Sequence, residues 1–398
     1  MPVRRNDIDA CPGALRLHAA ADGPLARVRL PGGLLTGSRL AVLADLAESF
    51  GDGHLDLTSR ANIQLRALRE ADPEVLAARL SAAGLLPSET HETVRNIAAP
   101  PMESATFHGL IEELDRALCA DAELAALPGR FLFALGDVPL AADLSAVPTG
   151  DAFAILFAGY DAGLRVPPGR AVAALLAGAH AFLTERAATP AWRLHELTDG
   201  PARVAARTAA TLGLFTVSDS AVFTVSDSAV EPARTAPTIG ILHQPDGLVA
   251  VGALVPLGRL GGAALHLLTT ARRLVVTPWR GVVVPSLTPE AARRWAHALA
   301  DAGLPVEPTS RWSGVTACAG RPGCAKSLAD VRADADDAST PAGGLPVHWI
   351  GCARGCGSPS GPHVRAEATP TGYAVTRQPT GETFTGDTAH AVAAARRN

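Results

Sequence analysis

Apolar and polar positions along this chain change period in a sequence that predicts strands and helices in alternation. Ala26 to Leu30 reads as a strand and runs into the turn Pro31-Gly32-Gly33. Ser38 then caps a helix whose apolar positions Leu40, Leu43, Ala44, Ala47 and Phe50 follow helical spacing, and Gly51 stops it. Alternation returns in His54-Leu55-Asp56-Leu57-Thr58 and Ile63-Gln64-Leu65-Arg66, two strands joined through Thr58 to Asn62. Asp72-Pro73 opens a second helix, closed at Gly84.

The same order recurs about 220 residues later. A strand over Leu248 to Val255 leads to a short helix after Gly261-Gly262. Strands at Leu274 to Thr277 and Val282 to Val284 follow, then a helix from Thr288-Pro289 to Gly303. Thr277-Pro278-Trp279-Arg280 takes the place of Thr58-Ser59-Arg60, and Gly303-Leu304 that of Gly84-Leu85. The repeat predicts an α+β protein of two related lobes, each continuing into a longer segment. Between them Phe215 to Val222 is repeated residue for residue by Phe223 to Val230, and with the stretch to Pro237 it reads as a linker without chemistry of its own.

At 398 residues the chain supports more than one core, and 47% hydrophobic with 19% charged residues is a globular balance. A net charge of -4 argues against nucleic acid as a partner, since phosphate binding needs a broad cationic face. The longest apolar stretch, Ala171 to Leu183, is shorter than a membrane span and is interrupted by Gly178 and His180. The opening residues Met1 to Asp7 have no apolar run behind them, so no secretory signal and a cytoplasmic setting are expected. In a reducing compartment, clustered cysteines read as ligands before they read as disulfides.

Four of the six cysteines form two pairs, Cys318 with Cys324 and Cys352 with Cys356, and Gly320, Gly323, Gly351, Gly355 and Gly357 crowd them. Small residues let backbone approach a bulky inorganic cluster and donate N–H bonds to its sulfurs. Structural zinc sites usually space their pairs by roughly two to four residues, so the five-residue gap favours an iron-sulfur cluster, with zinc and inert thiols as the alternatives. Cys11 and Cys119 have no partner at ligand spacing and read as packing residues.

A cluster moves electrons, and a substrate needs other groups. Arg60, Asn62, Gln64 and Arg66 alternate with apolar residues, an order that puts them on one face of a strand opposite Ile63 and Leu65. A plain amphipathic strand shows the same alternation. Arg95, Arg130 and Arg280 add guanidiniums at element ends, and Lys326 is the lone lysine among 35 basic residues. Together these seven residues suit a ligand rich in carboxylates.

The cysteine pattern, the Thr58-Ser59-Arg60 join, Arg95-Asn96, Leu127-Pro128 with Arg130-Phe131, and the twofold repeat resemble the sulfite and nitrite reductases that hold siroheme beside a [4Fe-4S] cluster. The resemblance covers nearly the whole chain. It implies an internally duplicated, pseudo-twofold α+β fold with two ferredoxin-like half-lobes, each followed by a larger α/β lobe. The boundaries expected are 1–88 and 89–214 for the first copy, 215–237 for the linker, and 238–305 and 306–398 for the second, with the cluster in the last. Those reductases hold their oxyanion with two arginines and two lysines. Here Arg60 and Arg95 match the arginines, but Arg130 and Leu132 stand where the lysines would be, which weakens a reductase reading.

Within the same superfamily the chain is similar to the precorrin-3B synthases. Cys11-Pro12-Gly13, Asp22-Gly23-Pro24-Leu25-Ala26-Arg27-Val28-Arg29-Leu30-Pro31-Gly32-Gly33, Leu274 to Gly281 and Ala317 to Cys324 carry that similarity. It implies a monooxygenase of cobalamin biosynthesis that takes precorrin-3A and dioxygen, with electrons from an NADH-linked or ferredoxin-like donor. The hydroxyl goes to meso carbon C20 while a ring A acetate closes to a γ-lactone. The resemblance implies that Cys318, Cys324, Cys352 and Cys356 hold a [4Fe-4S] cluster and that a mononuclear non-haem iron is also used, whose ligands would be sought among His54, His91, His108, His348 and His363. Siroheme belongs to the reductase alternative. A non-catalytic electron carrier or tetrapyrrole-binding protein is the third reading.

Overall fold

The computed structural model describes residues 11–213 and 238–397, apart from positions 103–104, 139, 188, 245, 342 and 360. The tandem octapeptide and its linker lie outside the described residues. The described chain folds into two compact units. A repeat unit takes residues 14–28, 34–85 and 238–397, and an intervening unit takes 11–13, 29–33 and 86–213.

The first copy in the repeat unit runs β1 (Ala26–Val28), β2 (Leu34–Leu35), α1 (Gly37–Phe50), β3 (His54–Leu57), β4 (Ile63–Leu65) and α2 (Pro73–Ala82). Helix α1 turns Leu40, Leu43, Leu46 and Ala47 inward, each at most 1% exposed. At about 1.5–3 kcal/mol for each large apolar side chain, that stripe is the main reason the helix is stable here. Its cap is Thr36, whose hydroxyl accepts from Arg39 N, two residues ahead of the expected Ser38. Ser38 already lies inside the helix, its hydroxyl 3.0 Å from that of Thr36. Asp72 caps α2 as expected by accepting from Glu74 N.

The intervening unit holds β5 (Ile97–Ala98), α3 (Ala105–Ala120), β6 (Phe133–Leu135), β7 (Leu144–Thr149), β8 (Ala152–Phe157), β9 (Tyr160–Val166), α4 (Ala171–Arg186) and α5 (Gly200–Thr211). Its sheet has the order β5-β6-β7-β8-β9, with β5, β6 and β7 parallel and β8 and β9 antiparallel. The long apolar stretch of the sequence is α4, a core helix buried through Leu175, Ala179 and Phe182. Among the described residues no helix is long and apolar enough to cross a membrane.

The second copy runs β10 (Gly240–His243), β11 (Val249–Leu254), β12 (Arg259–Gly261), α6 (Gly262–Thr269), β13 (Leu274–Val276), β14 (Gly281–Leu287) and α7 (Pro289–Asp301). The two copies exchange a short strand. The first sheet has the order β1-β4-β3-β12 and the second β10-β11-β14-β13-β2. Leu260 of the second copy pairs with Leu55 of the first, and Leu34 of the first pairs with Val275 of the second. The outer sides of β3 and β13 are thereby paired by short strands of two and three residues, which shortens the open ladder at that side of each sheet.

The C-terminal segment adds β15 (Val315–Ala317), α8 (Val331–Ala338), β16 (Val347–Ile350), β17 (His363–Thr369), β18 (Gly372–Gln378), β19 (Thr383–Phe384) and α9 (Thr388–Arg396). Its order, β15-β16-β17-β18-β19, again places three parallel strands before two antiparallel ones. Val331 and Ala335 of α8 and Ala391, Val392 and Ala395 of α9 close over Val347, Trp349, Val364 and Val375. The parallel strands therefore present their carboxyl ends as a common edge, the place where open α/β sheets carry ligands.

Candidate functional site

The cysteines occupy that edge. Cys318 directly follows β15 and Cys352 lies two residues past β16, so adjacent parallel strands deliver one loop each. Gly351 N donates to Cys318 Sγ at 3.3 Å, and Cys318 N donates to Trp349 O. A Cβ at position 351 would fall on the Ser327 hydroxyl, so glycine is required for this close approach. Gly355 and Gly357, on either side of Cys356, have φ of 60° and 83°. Partial burial pushes the Cys356 thiol up first, Arg354 pulls it down, and Cys318, Cys352 and Cys324 push it up again. All four thiols therefore act within one electrostatic neighbourhood.

Among the described residues no three His, Cys, Asp or Glu side chains converge on a single metal ion. A four-iron cluster takes its thiolates at separate corners and suits glycine-lined loops such as these. The residues fit the cluster.

Among the described residues the five candidate histidines do not group with other ligands around a mononuclear iron. His54 Nδ1 lies 2.7 Å from Asp52 O, and His91 is held by Ser88, Thr90 and Asp121 O. His108 is on α3 in the intervening unit. His363 Nδ1 meets Gly361 O at 2.8 Å. His348 is fully buried on β16. Its Nε2 donates to Cys356 O at 3.0 Å, and its Nδ1 is 2.8 Å from Thr316 Oγ1. Burial, helped by nearby Arg280, pushes its pKa down to about 3 and keeps the ring neutral.

The seven expected substrate residues divide between the units. In the repeat unit the β3–β4 turn is built on Thr58, whose hydroxyl accepts from Arg60 N and Asn62 N while Ala61 adopts φ 57°. The second copy repeats this turn: Thr277 Oγ1 accepts from Gly281 N, and the positive φ of 60° falls on Arg280. Arg280 thus stands at the place of Ala61, and Trp279 at that of Arg60. Arg280 Nη2 donates to Gly357 O at 3.4 Å, just past Cys356. Its pKa is lowered to about 10 by burial first and Arg332 second, with Asp56 and Cys318 opposing.

Gln64, with its carbonyl oxygen turned toward β1, accepts from Arg27 Nε at 3.1 Å. Asn62 is 2% exposed. Arg66 makes a two-point contact with Asp22, at 2.9 and 3.0 Å, and donates to Gly323 O at 2.8 Å. In the intervening unit Arg95 is bidentate to Asp115, with both bonds at 2.7 Å. Arg130 lies 4.4 Å over the Trp192 ring. Asn96 donates to Thr93, Gly129 and Phe131 carbonyls and accepts from Arg29, which fixes the segment that carries Arg130.

Beside the first cysteine loop, the repeat unit has a cavity of about 440 Å³ whose lining includes Asp22, Arg66, Arg259, Arg321 and Arg332. Asp22, Asp56, Arg259 and Arg332 escape a sequence reading, because the groups they meet are distant in sequence. The one local signal is Asp56, an acid placed between two leucines of a strand.

Residues 18–83 match the nitrite/sulfite reductase ferredoxin-like half domain. A precorrin-3B synthase from Sinorhizobium sp. is 27% identical over 92% of this chain and 81% of its own length. A ferredoxin–nitrite reductase from Synechococcus elongatus is 28% identical over 84% of this chain and 74% of its own. The structure of the Mycobacterium tuberculosis NirA protein matches with a TM-score of 0.69 at 18% identity, covering 91% of this chain and 77% of that one, a likeness of fold.

Proposed function

We propose that this chain, a member of the nitrite/sulfite reductase superfamily, is a precorrin-3B synthase that hydroxylates precorrin-3A at C20 with closure of a γ-lactone. The observation that carries the reading over its reductase relatives is the surroundings of Leu132. That residue is 2% exposed and packs with Ala98, Ala134, Val138 and Ala142, an apolar setting for the position at which the reductases carry the fourth cation of their anion pocket. The precorrin-3B synthase relative, matched over nearly the whole chain, supports it.

In this reading Cys318, Cys324, Cys352 and Cys356 hold a [4Fe-4S] cluster, which supplies single electrons when bound. His348 fixes the carbonyl of Cys356, and the Gly351 amide donates to the Cys318 sulfur, so the loop geometry is set by the protein. Arg280, held beside Gly357, is a cation for a carboxylate arm of the tetrapyrrole close to the cluster. Arg60, Asn62 and Gln64 are further groups for the substrate's acetates and propionates. One oxygen atom of dioxygen enters the product and the other leaves as water, with two electrons from an external donor.

Mass spectrometry of precorrin-3A incubated with protein, a reductant and labelled dioxygen tests the reading. The expected product carries one labelled oxygen. Intense siroheme bands in the purified protein, with reduction of nitrite or sulfite, would replace it by the reductase. Binding of precorrin-3A with no label taken up would make the chain a binding protein.

A further inference from the structure

Asp56 gathers cations from three separate pieces of the repeat unit. It stands on β3, 6% exposed, and its Oδ2 accepts from Arg332 Nη2 at 2.7 Å. Arg66 Nε lies 3.8 Å from the same oxygen, and Arg259 Nη1 lies 3.9 Å from Oδ1. Arg66 follows β4, Arg259 opens the exchanged strand β12, and Arg332 is in the first turn of α8, the helix beyond the Cys318–Cys324 loop. A carboxylate buried this deeply is strongly unfavourable unless cations surround it. Asp56 is the one carboxylate that these three segments share, so its removal would withdraw their common counter-charge.

Arg66 carries the connection into the cysteine loop. Beyond its two bonds to Asp22, its Nη2 donates to the carbonyl of Gly323, the residue before Cys324. A Cβ at position 323 would come within 2.8 Å of that nitrogen, so the guanidinium lies against bare backbone. The loop also closes on itself, with Ser327 N donating to Cys324 O at 3.0 Å and Arg321 Nε donating to Ser327 O at 2.8 Å. With Asp22, Asp56 and Gly323 as its partners, Arg66 ties the loop to two carboxylates.

We infer that Asp56, Arg66 and Arg332 are positioning residues that hold residues 318–324 in a cluster-ready shape before any iron arrives. The inference rests on the iron-sulfur reading above. It is tested first on the metal-free full chain, by the rates at which iodoacetamide alkylates each cysteine, read by peptide mass spectrometry. Arg66→Met and the milder Arg332→Gln are expected to speed modification of Cys318 and Cys324 roughly tenfold, while Cys352 and Cys356 keep their wild-type rates. Arg66→Lys, which keeps the charge, restores part of the protection. Anaerobic loading with iron and sulfide then gives less than half the wild-type iron per chain for Arg66→Met. Unchanged rates, or equal acceleration of all four thiols, would overturn the inference. A wild-type chain that takes up no iron and sulfide would instead sink the cluster reading, and the alkylation rates would still decide whether these residues hold the loop.

Discussion

The sheet β5–β9 and the sheet β15–β19 share one strand order and one pattern of parallel and antiparallel pairing, yet only the second carries cysteines in the loops directly after its parallel strands. After β15 and β16 come glycine-rich loops with thiols, and strand β16 itself contains His348. Around β6 the equivalent region is an apolar cluster that joins Leu132, just before the strand, to Ala98 at the end of β5 and Val138 beyond β6, and strand β6 is Phe133, Ala134 and Leu135 throughout. The difference teaches that the scaffold is held by its buried faces, while chemistry depends on what stands at the carboxyl ends of the parallel strands. One copy closes that edge with side chains. The other leaves it to sulfur.

The comparison breaks most visibly at the thiols. Cys324→Ser is expected to abolish stoichiometric iron and sulfide uptake on reconstitution, while Cys119→Ser, on α3 of the intervening unit, leaves it at the wild-type value. Equal losses in both would dissolve the contrast between the sheets. A smaller effect probes the closed edge. Leu132→Lys places a cation among Ala98, Ala134, Val138 and Ala142, beside an Asp143 carboxylate already paired with Arg193, and denaturant unfolding should report a loss of about 3 kcal/mol or more. A tolerated lysine would mean that this edge is no core at all. The smallest concerns the strand beneath the cysteines. His348→Ala leaves the Cys356 carbonyl without its donor, at about 2 kcal/mol by denaturant melts, with the β5–β9 sheet unaffected.

The periodic elements were legible in sequence because long amphipathic segments advertise their buried face: α1, α2, α7, β3 and β11 stand close to where their patterns place them. The exchange of β2 and β12 was not legible. Strands of two and three residues have no measurable period, and their partners lie some two hundred residues away. The two cysteine pairs are visible in the sequence through their spacing and their glycines. The arginines were only half legible, since alternation gives a face and not a partner. Asp22 for Arg66 and Asp115 for Arg95 are 44 and 20 residues distant. Arg280 was found by the repeat, but its left-handed backbone, at the place of Ala61, required the turn itself.

The traded strands also impose an order in time. Because β3 takes Arg259 to Gly261 as its neighbour, the first sheet cannot acquire its fourth strand until residue 261 has left the ribosome, long after its own helices are made. Until then the nascent first copy waits with one edge bare. Its completion and the arrival of its twin are a single late event, and translation reaches Cys318 fewer than sixty residues afterwards.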